Sequence, residues 1–305
     1  MTKFEINNND NNQSLFKFVK KSFSTTPLSV IYKWFRKGDI KINGKRIKDQ
    51  KFLLTTGDLV EVYDTNKPVV RDEFKYVDWQ GMMVAYEDEN IFIINKAPDI
   101  EMHSPVNVSL DDMVKSYLYD HEEYNPEVEN SFVVSHVHRL DKLTSGLVIY
   151  AKNKVSLDVM LAAIQNKNAI EKYYIAKVSK KFNNDFKTKG WIKYDQEKQI
   201  SIFTEEDKSE HKNFKYCETE FKILLKQEEF NIVEAKLLTG RKHQIRATLA
   251  YYGFPIINDF RYGGKKINNE KMIFLSAYKL IFKNLPEPLE YLNGEKIILD
   301  LNIEN

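Results

Sequence analysis

The sequence predicts an α+β protein in two parts: a small N-terminal unit of two helices and a turn-rich sheet, and a larger body on a mixed, mainly antiparallel sheet. Three observations carry that prediction. The chain has 305 residues, long for one small module and suited to two domains of unequal size. In the body, strand-like runs outnumber helical ones without regular alternation, which argues against a doubly wound fold. Residues 13–64 hold eleven Lys/Arg against five Asp/Glu, whereas the whole chain carries only +2, so a basic unit is joined to a mildly acidic body. Composition excludes several classes. Hydrophobic residues make up 42%, enough for a core and too many for a disordered chain. No run approaches the ~18 apolar residues of a membrane helix, and residues 1–13 lack the apolar centre of a signal peptide. The single cysteine, Cys217, excludes an internal disulfide and a multi-cysteine metal site. The expectation is a soluble, cytoplasmic protein.

In chain order, residues 1–12 are rich in Asn and read as a flexible tail. From Gln13, the spacing of Leu15, Phe18, Val19 and Phe23 is helical. Thr26-Pro27 opens a second helix, with Thr26 as cap and Pro27 at the first helical position. Ile31, Trp34 and Phe35 form its apolar side, and Gly38 stops it. Asn43-Gly44 marks a tight turn between two short strands, and residues 59–63 read as a closing strand. Residues 65–77 are polar, contain Pro68 and read as a linker. The body, 78–305, has strand-like runs at 91–94, 147–151, 175–178 and 297–301. Its clearest helix spans 153–165, capped by Asn153, with Leu157, Met160, Leu161 and Ile164 on the buried side.

Between Lys33 and Lys51 stand eight cations against two acids. Lys33, Arg36, Lys37, Lys41, Lys45 and Arg46 among them can line one face and contact phosphates without reading bases. The runs Trp34-Phe35-Arg36-Lys37-Gly38, Ile40-Lys41-Ile42-Asn43-Gly44-Lys45 and Thr56-Gly57-Asp58-Leu59-Val60-Glu61-Val62 resemble the S-four-type RNA-binding domain, the alpha-L motif. Residues 13–64 are therefore expected to bind RNA.

Only seven of the 46 cationic residues are arginine. Where lysine supplies general charge, an arginine marks a place that needs a planar, permanently charged fork. Three of the seven fall in two polar motifs: His136-Val137-His138-Arg139-Leu140-Asp141-Lys142-Leu143-Thr144-Ser145-Gly146-Leu147 and Thr239-Gly240-Arg241-Lys242-His243-Gln244-Ile245-Arg246. By residue type alone, His136, His138 and Asp141 with His243 could hold the divalent metal of a hydrolase. Arg139 and Arg246 within such a site would raise its electrostatic cost.

The same motifs resemble those of the Rlu-type pseudouridine synthases, which modify large-subunit ribosomal RNA. His138-Arg139-Leu140-Asp141 followed by Thr144-Ser145-Gly146-Leu147 matches the signature. Tyr86-Glu87-Asp88 through Asn95-Lys96 and His103 resembles the family's opening segment before it, and Lys172-Tyr173-Tyr174-Ile175-Ala176, the second motif, Gly253-x-Pro255-Ile256 and Tyr262-Gly263 follow in order. The chain departs from the pattern at Ala97-Pro98-Asp99, where Pro-Ala-Gly is usual. It also departs at Lys242, which replaces a small hydroxyl residue, and at Asn258, which replaces glycine. The resemblance implies a cofactor- and metal-free isomerisation of uridine. In it Asp141 is the essential carboxylate, Arg246 its guanidinium partner, and Tyr174 a ring against the uracil and candidate acceptor of the C5 proton. Arg139 is implied to hold the flipped nucleotide. Arg241, His138, Thr144 and His243 complete the RNA- and substrate-binding set, the histidines and Thr144 as scaffold rather than as reactive groups. The implied partner is ribosomal RNA, most of all from the large subunit, with no membrane and a monomeric chain. The competing expectations are an assembly factor that binds RNA on a degenerate catalytic fold, and the metal hydrolase.

Overall fold

Two sheets, each with its own apolar core, organise the chain in the computed structural model, which describes residues 1–64, 74–127, 129–166, 169–179, 183–267 and 272–301. The N-terminal sheet comprises β1 (Thr2–Glu5), β2 (Ile40–Ile42), β3 (Lys45–Arg46) and β4 (Leu59–Val62), antiparallel in the order β1-β4-β2-β3. Helices α1 (Leu15–Ser22) and α2 (Leu28–Lys37) cover it, and Phe18, Val19, Ile31 and Phe35 share one core with Ile40, Val60 and Val62. Gly38 ends α2 at φ +71°, and Asn43-Gly44 turns β2 into β3 with φ of +51° and +78°. That pair of positive angles is what a two-residue hairpin turn requires. Helix α2 starts later than the expected Thr26 cap. Pro27 holds the capping position, and its carbonyl accepts from the amides of Val30 and Ile31.

Residues 1–12 are not a tail. Strand β1 pairs with β4 over four positions, and Phe4 and Ile6 enter the core. The asparagines then fasten the unit to the body. Asn7 and Asn9 donate to Glu129 at 3.2 and 2.8 Å, and Asn9 also accepts from the Lys154 amide at 3.0 Å. Asp10, fully buried, accepts from Ser131 at 2.5 Å and Asn130 at 2.9 Å. A composition that suggests disorder here supplies the hydrogen bonds that buried carboxylates need. Of the expected linker, 65–73 lies outside the described residues. Within 74–77, Phe74 packs on the body's core, Tyr76 donates to Asp120, and Val77 is buried.

The body's sheet has eleven strands: β5 (Met83–Glu87), β6 (Ile91–Lys96), β7 (Ser135–His136), β8 (Ser145–Ala151), β9 (Ile170–Val178), β10 (Phe186–Asp195), β11 (Ile200–Thr204), β12 (Lys215–Lys226), β13 (Asn231–Leu237), β14 (Leu275–Phe282) and β15 (Lys296–Ile298). Nine of them run β11-β10-β12-β13-β9-β14-β8-β6-β5, with β7 added to β8 and β15 to β14. Helices α3 (Leu110–Asp120), α4 (Lys154–Gln165) and α5 (Gln244–Tyr251) pack against it. Alternation along the strands divides the core. Phe92, Ile94, Val148 and Tyr150 join Leu110, Val114 and Leu249, while Ile91, Ile93, Leu147 and Ile149 join Met160 of α4. Strands buried on both faces read as continuous apolar runs, which is why β6 and β8 stand out in the sequence. Asn153 caps α4 as expected by accepting from Ser156, Met160 is buried as expected and Leu157 and Ile164 pack on the cores, but Leu161 is exposed, and Ser156 and Ala163 face inward in its place. Among the described residues no helix is long and apolar enough to cross a membrane.

Among the described residues of this sheet, β8 and β14 alone run parallel, and only at Ser145–Ser276 and Gly146–Ala277. Beyond that point β15 takes the edge of β14 at Lys279–Ile281. Gly146 makes the junction possible. Its φ is +111°, and a Cβ there would lie 2.2 Å from the Ala277 carbonyl oxygen. The loop carrying the first polar motif ends at this junction.

Candidate active site

Lys96, at the end of β6, fixes the first motif loop. Its ammonium is buried and donates to the carbonyls of Ala97, Ile100 and Lys142 at 2.8, 2.9 and 3.0 Å. Burial lowers its pKa to about 8, with Asp141 and Asp99 opposing. The Asp99 amide donates to the Lys142 carbonyl at 2.9 Å, and the Thr144 amide closes a turn on the Asp141 carbonyl at 3.0 Å. Asp141 thus sits on a loop braced from beneath and ended by Gly146.

Gln244 organises the second motif. Its side-chain oxygen accepts from Thr239 and the Arg241 amide at 2.9 and 3.0 Å, and its nitrogen donates to Thr219 and the Glu218 carbonyl on β12. His243 precedes α5 in the left-handed region at φ +53°, a conformation uncommon outside glycine and concentrated at functional sites. One turn later α5 delivers Arg246.

Arg246 is where the two motifs meet. Its Nε and Nη2 donate to both oxygens of Asp259 at 2.7 and 2.9 Å, and its Nη1 donates to Asp141 Oδ2 at 3.1 Å. Burial works against this cation, yet its bonds to Asp259 and the two carboxylate charges outweigh burial and raise its pKa above the ordinary value. The guanidinium is therefore a fixed positive fork, clamped from behind by Asp259 and aimed at Asp141. Asp259 is held in turn by the turn that follows it. The Gly264 amide donates to the Asp259 carbonyl at 2.9 Å, and a Cβ on Gly264 would lie 2.0 Å from the Ile256 carbonyl oxygen.

Tyr262 lies beneath this pair, its ring 5.0 Å from the Arg246 guanidinium carbon. Its hydroxyl accepts from the Ser201 amide at 2.6 Å and sits 2.9 Å from His243 Nδ1. Burial lowers the His243 pKa to about 4 against the pull of Asp141, with Arg246, Lys242 and Arg261 adding to the fall. The imidazole is neutral near pH 7. The Asp141 carboxylate, 3.6 Å from Nε2, favours the tautomer with its proton there, and in that tautomer Nδ1 accepts from the Tyr262 hydroxyl.

Arg139, Asp141, Thr144, Tyr174, Arg241, His243 and Arg246 surround one cavity of about 60 Å³. A chamber of about 300 Å³ adjoins it, lined by His138, Lys172, Arg139, Asp141 and Tyr174 among others. The sequence-selected residues of the body therefore converge on one cleft. Lys33, Arg36, Lys37, Lys41, Lys45 and Arg46 lie on the N-terminal unit and line neither space. Tyr174 is buried, and burial first, then the Asp141 charge, push its pKa up, so the ring is a neutral phenol. Among the described residues the buried Thr144 hydroxyl has no hydrogen-bond partner. His138 is scaffold. Burial lowers its pKa to about 3, and Nε2 accepts from the Ile149 amide at 3.3 Å.

The expected metal ligands do not converge. His136 turns to Asp111 at 2.9 Å, His138 to Ile149 and His243 Nδ1 to Tyr262. Among the described residues no group of three or more His, Cys, Asp or Glu is placed to hold a metal. Lys96, Gln244 and Tyr262 lie within runs that match the family pattern, but the resemblance gives them no role, and Asp259 lies outside those runs. The departures from the family pattern have a structural account. Asp99 and Asn258 stand at usual glycine positions with φ of +66° and +65°, which Asp and Asn tolerate better than other side chains.

Residues 90–251 match the family described as RNA pseudouridylate synthase. The chain is 55% identical to an uncharacterised RNA pseudouridine synthase of Mycoplasma capricolum subsp. capricolum, over 98% of this chain and 97% of the relative. It is 29% identical to the ribosomal large subunit pseudouridine synthase C of Vibrio parahaemolyticus, over 84% of this chain and 78% of the relative. The fold is similar to that of human RNA pseudouridylate synthase domain containing 1. That similarity has a TM-score of 0.54 and 18% identity, and covers 74% of this chain and 94% of the human one.

Proposed function

The chain belongs to the RNA pseudouridylate synthase family and isomerises uridine in RNA to pseudouridine, and from that premise we propose that its target lies in large-subunit ribosomal RNA and that Asp141 is the nucleophile. The observation that carries the role of Asp141 is its 3.1 Å contact with a guanidinium that Asp259 holds in place. In the reaction the N1–C1′ bond breaks, the uracil turns within the site, C5 bonds to C1′, the C5 proton leaves and N1 takes up a proton in its place. The attack of the Asp141 carboxylate on the uracil ring or on C1′ splits this exchange into two easier steps. Arg246 holds that carboxylate in place through the hydrogen bond to Oδ2. Tyr174, as a neutral phenol, packs against the uracil face, and its service as a base would require a phenolate that burial disfavours. Arg139 and Arg241 at the rim hold the extruded nucleotide.

We further propose that residues 13–64 form an S-four-type RNA-binding domain, that 78–305 is the catalytic domain, and that a cytoplasmic monomer acts without cofactor or metal. Relatives named for large-subunit ribosomal RNA support the choice of target. The test uses ribosomal RNA transcripts carrying tritium at uridine C5. Release from the large-subunit transcript that survives EDTA and disappears in Asp141→Asn is the expected result. Release from the small-subunit transcript alone would overturn the target, binding without release would favour an assembly factor, and EDTA-sensitive cleavage a hydrolase.

A further inference from the structure

Next to the cleft, strands β10 and β12 and the loop before α5 wall a groove of about 670 Å³. It carries Lys193, Lys212, Lys215, Arg241 and Lys242 against one acid, Asp195. Arg241 lines this groove and both spaces around Asp141, so the groove adjoins the cleft. Neighbouring lysines behave differently. Lys187, also on β10, meets Glu218 and Glu220 at 3.0 and 2.9 Å, and Lys208 meets Glu206 at 2.7 Å. Among the described residues none of the four groove lysines has a carboxylate within ion-pair distance. Two cover aromatic rings instead: the Lys242 ammonium lies 3.3 Å from the Tyr194 ring centre, and that of Lys193 5.2 Å from that of Phe214.

We propose that this groove holds the single-stranded RNA that continues from the target nucleotide, with its phosphates on the lysines and a base on Tyr194. The inference rests on RNA being the substrate. An enzyme that works on a base takes it from a single strand or out of a stack; a target in a loop has unpaired nucleotides on either side of it, and unpaired strands are bound by cation-lined grooves with aromatic platforms. The volume falls within the ~300–1,000 Å³ of pockets that enclose drug-sized ligands, room for a short stretch of strand. Movement of Lys242 from the ring to a phosphate would free the Tyr194 face for stacking. Lys242, one of the departures from the family pattern, thereby gains a role as an RNA contact.

The test compares full-length Lys193→Gln/Lys212→Gln/Lys215→Gln with a control of equal charge loss at exposed positions outside the groove, Lys75→Gln/Lys222→Gln/Lys296→Gln. The probes are a uridine-rich single strand of about a dozen nucleotides, the corresponding duplex, and the tritiated ribosomal transcripts. The groove variant should lower the salt dependence of single-strand binding by about 2 in log K per log salt, from ~0.7 per phosphate. It should also raise KM for tritium release several-fold, with a smaller effect on turnover. Lys242→Thr alone should lower the salt slope by about 0.7, and it serves if the triple variant fails to fold. Groove and control variants that behave alike, or an equal loss on duplex and single strand, would overturn the proposal. A wild-type protein that releases no tritium from either transcript would instead sink the proposed function, and the binding comparison would still judge the groove.

Discussion

The N-terminal unit and the cleft of the body both rely on positive charge and use it in opposite ways. On the unit, Lys33, Arg36, Lys37, Lys45 and Arg46 are exposed, and among the described residues none meets a carboxylate. In the cleft, Arg246 is buried and shared between two carboxylates. Exposed, unpaired cations act additively and at a distance, tolerate changes of position and weaken with salt. A buried guanidinium acts through geometry, and its neighbours depend on it. Under the proposed function the first arrangement attracts RNA and the second orients one carboxylate. The lysine-rich usage of the chain outside its few arginines follows the same division.

The largest effect that would break this division is at Asp141. Asp141→Asn should lower tritium release by about 10⁴-fold, while affinity for ribosomal RNA stays within about twofold in a filter-binding titration. A matching collapse of affinity would mean that the cleft also supplies the main binding charge. Next in size is Asp259→Ala, which removes the bidentate clamp and leaves Arg246 facing Asp141 alone. Loss of one partner of a buried pair costs ~3–5 kcal/mol, to be read from denaturant melts. A loss below about 1 kcal/mol would show that the guanidinium does not depend on that clamp. On the other region, Gln at Lys33, Arg36, Lys37, Lys41, Lys45 and Arg46 together should reduce the salt slope of RNA binding by up to about 4 to 5. Turnover at saturating RNA is expected to change far less than KM, and a fall in turnover equal to the rise in KM would place these cations in the chemistry.

What could be read in the sequence followed from how each feature is encoded. Strands β6 and β8 are buried on both faces and appear as apolar runs. Gly38 and Asn43-Gly44 encode positive φ locally. Asp141, Arg139, Tyr174 and Arg246 lie in contiguous motifs, so their convergence could be expected before any coordinates. Asp259 could not be assigned in the same way, because a carboxylate thirteen residues from its guanidinium gives no sign of its partner until the intervening chain turns at Asn258 and Gly264. Residues 1–12 misled by composition. Asparagine is common in disordered segments, and only tertiary contact shows that Asn7 and Asn9 answer Glu129. Leu161 fits a helical stripe, yet α4 turns Ser156, Met160 and Ala163 to the sheet, a choice set by where the helix docks.

A smaller effect separates the two regions by pH. Residues 13–64 contain no histidine, while His138 and His243 are held neutral with pKa values of about 3 and about 4. The unfolded chain protonates both below about 6.5 and the folded chain does not, so stability falls as pH drops from that value and their contribution levels off below 3 and 4. At pH 5 each should account for a loss of about 2 kcal/mol relative to pH 7, from ~1.4 kcal/mol per pKa unit. Urea melts of wild type and His138→Gln at both pH values measure it. The variant should lose about 2 kcal/mol less than wild type on acidification, and an identical loss would show that His138 becomes protonated in the folded state.

The smallest expected change tests whether orientation within the cleft matters beyond charge. Tyr262→Phe keeps the ring under Arg246 and removes only the hydroxyl between the Ser201 amide and His243 Nδ1. Two polar groups lose a partner, which costs about 1–2 kcal/mol of stability. Without that donor, His243 can move its proton to Nδ1 and turn the lone pair of Nε2 toward Asp141. A lone pair facing the carboxylate repels it, whereas the N–H steadies it. Turnover should therefore fall by about tenfold, equivalent to ~1.4 kcal/mol of barrier, with KM little changed. A stability loss with turnover intact would make Tyr262 a strut. A turnover loss that His243→Asn shares and Tyr262→Phe does not deepen would place both residues on one path to Asp141.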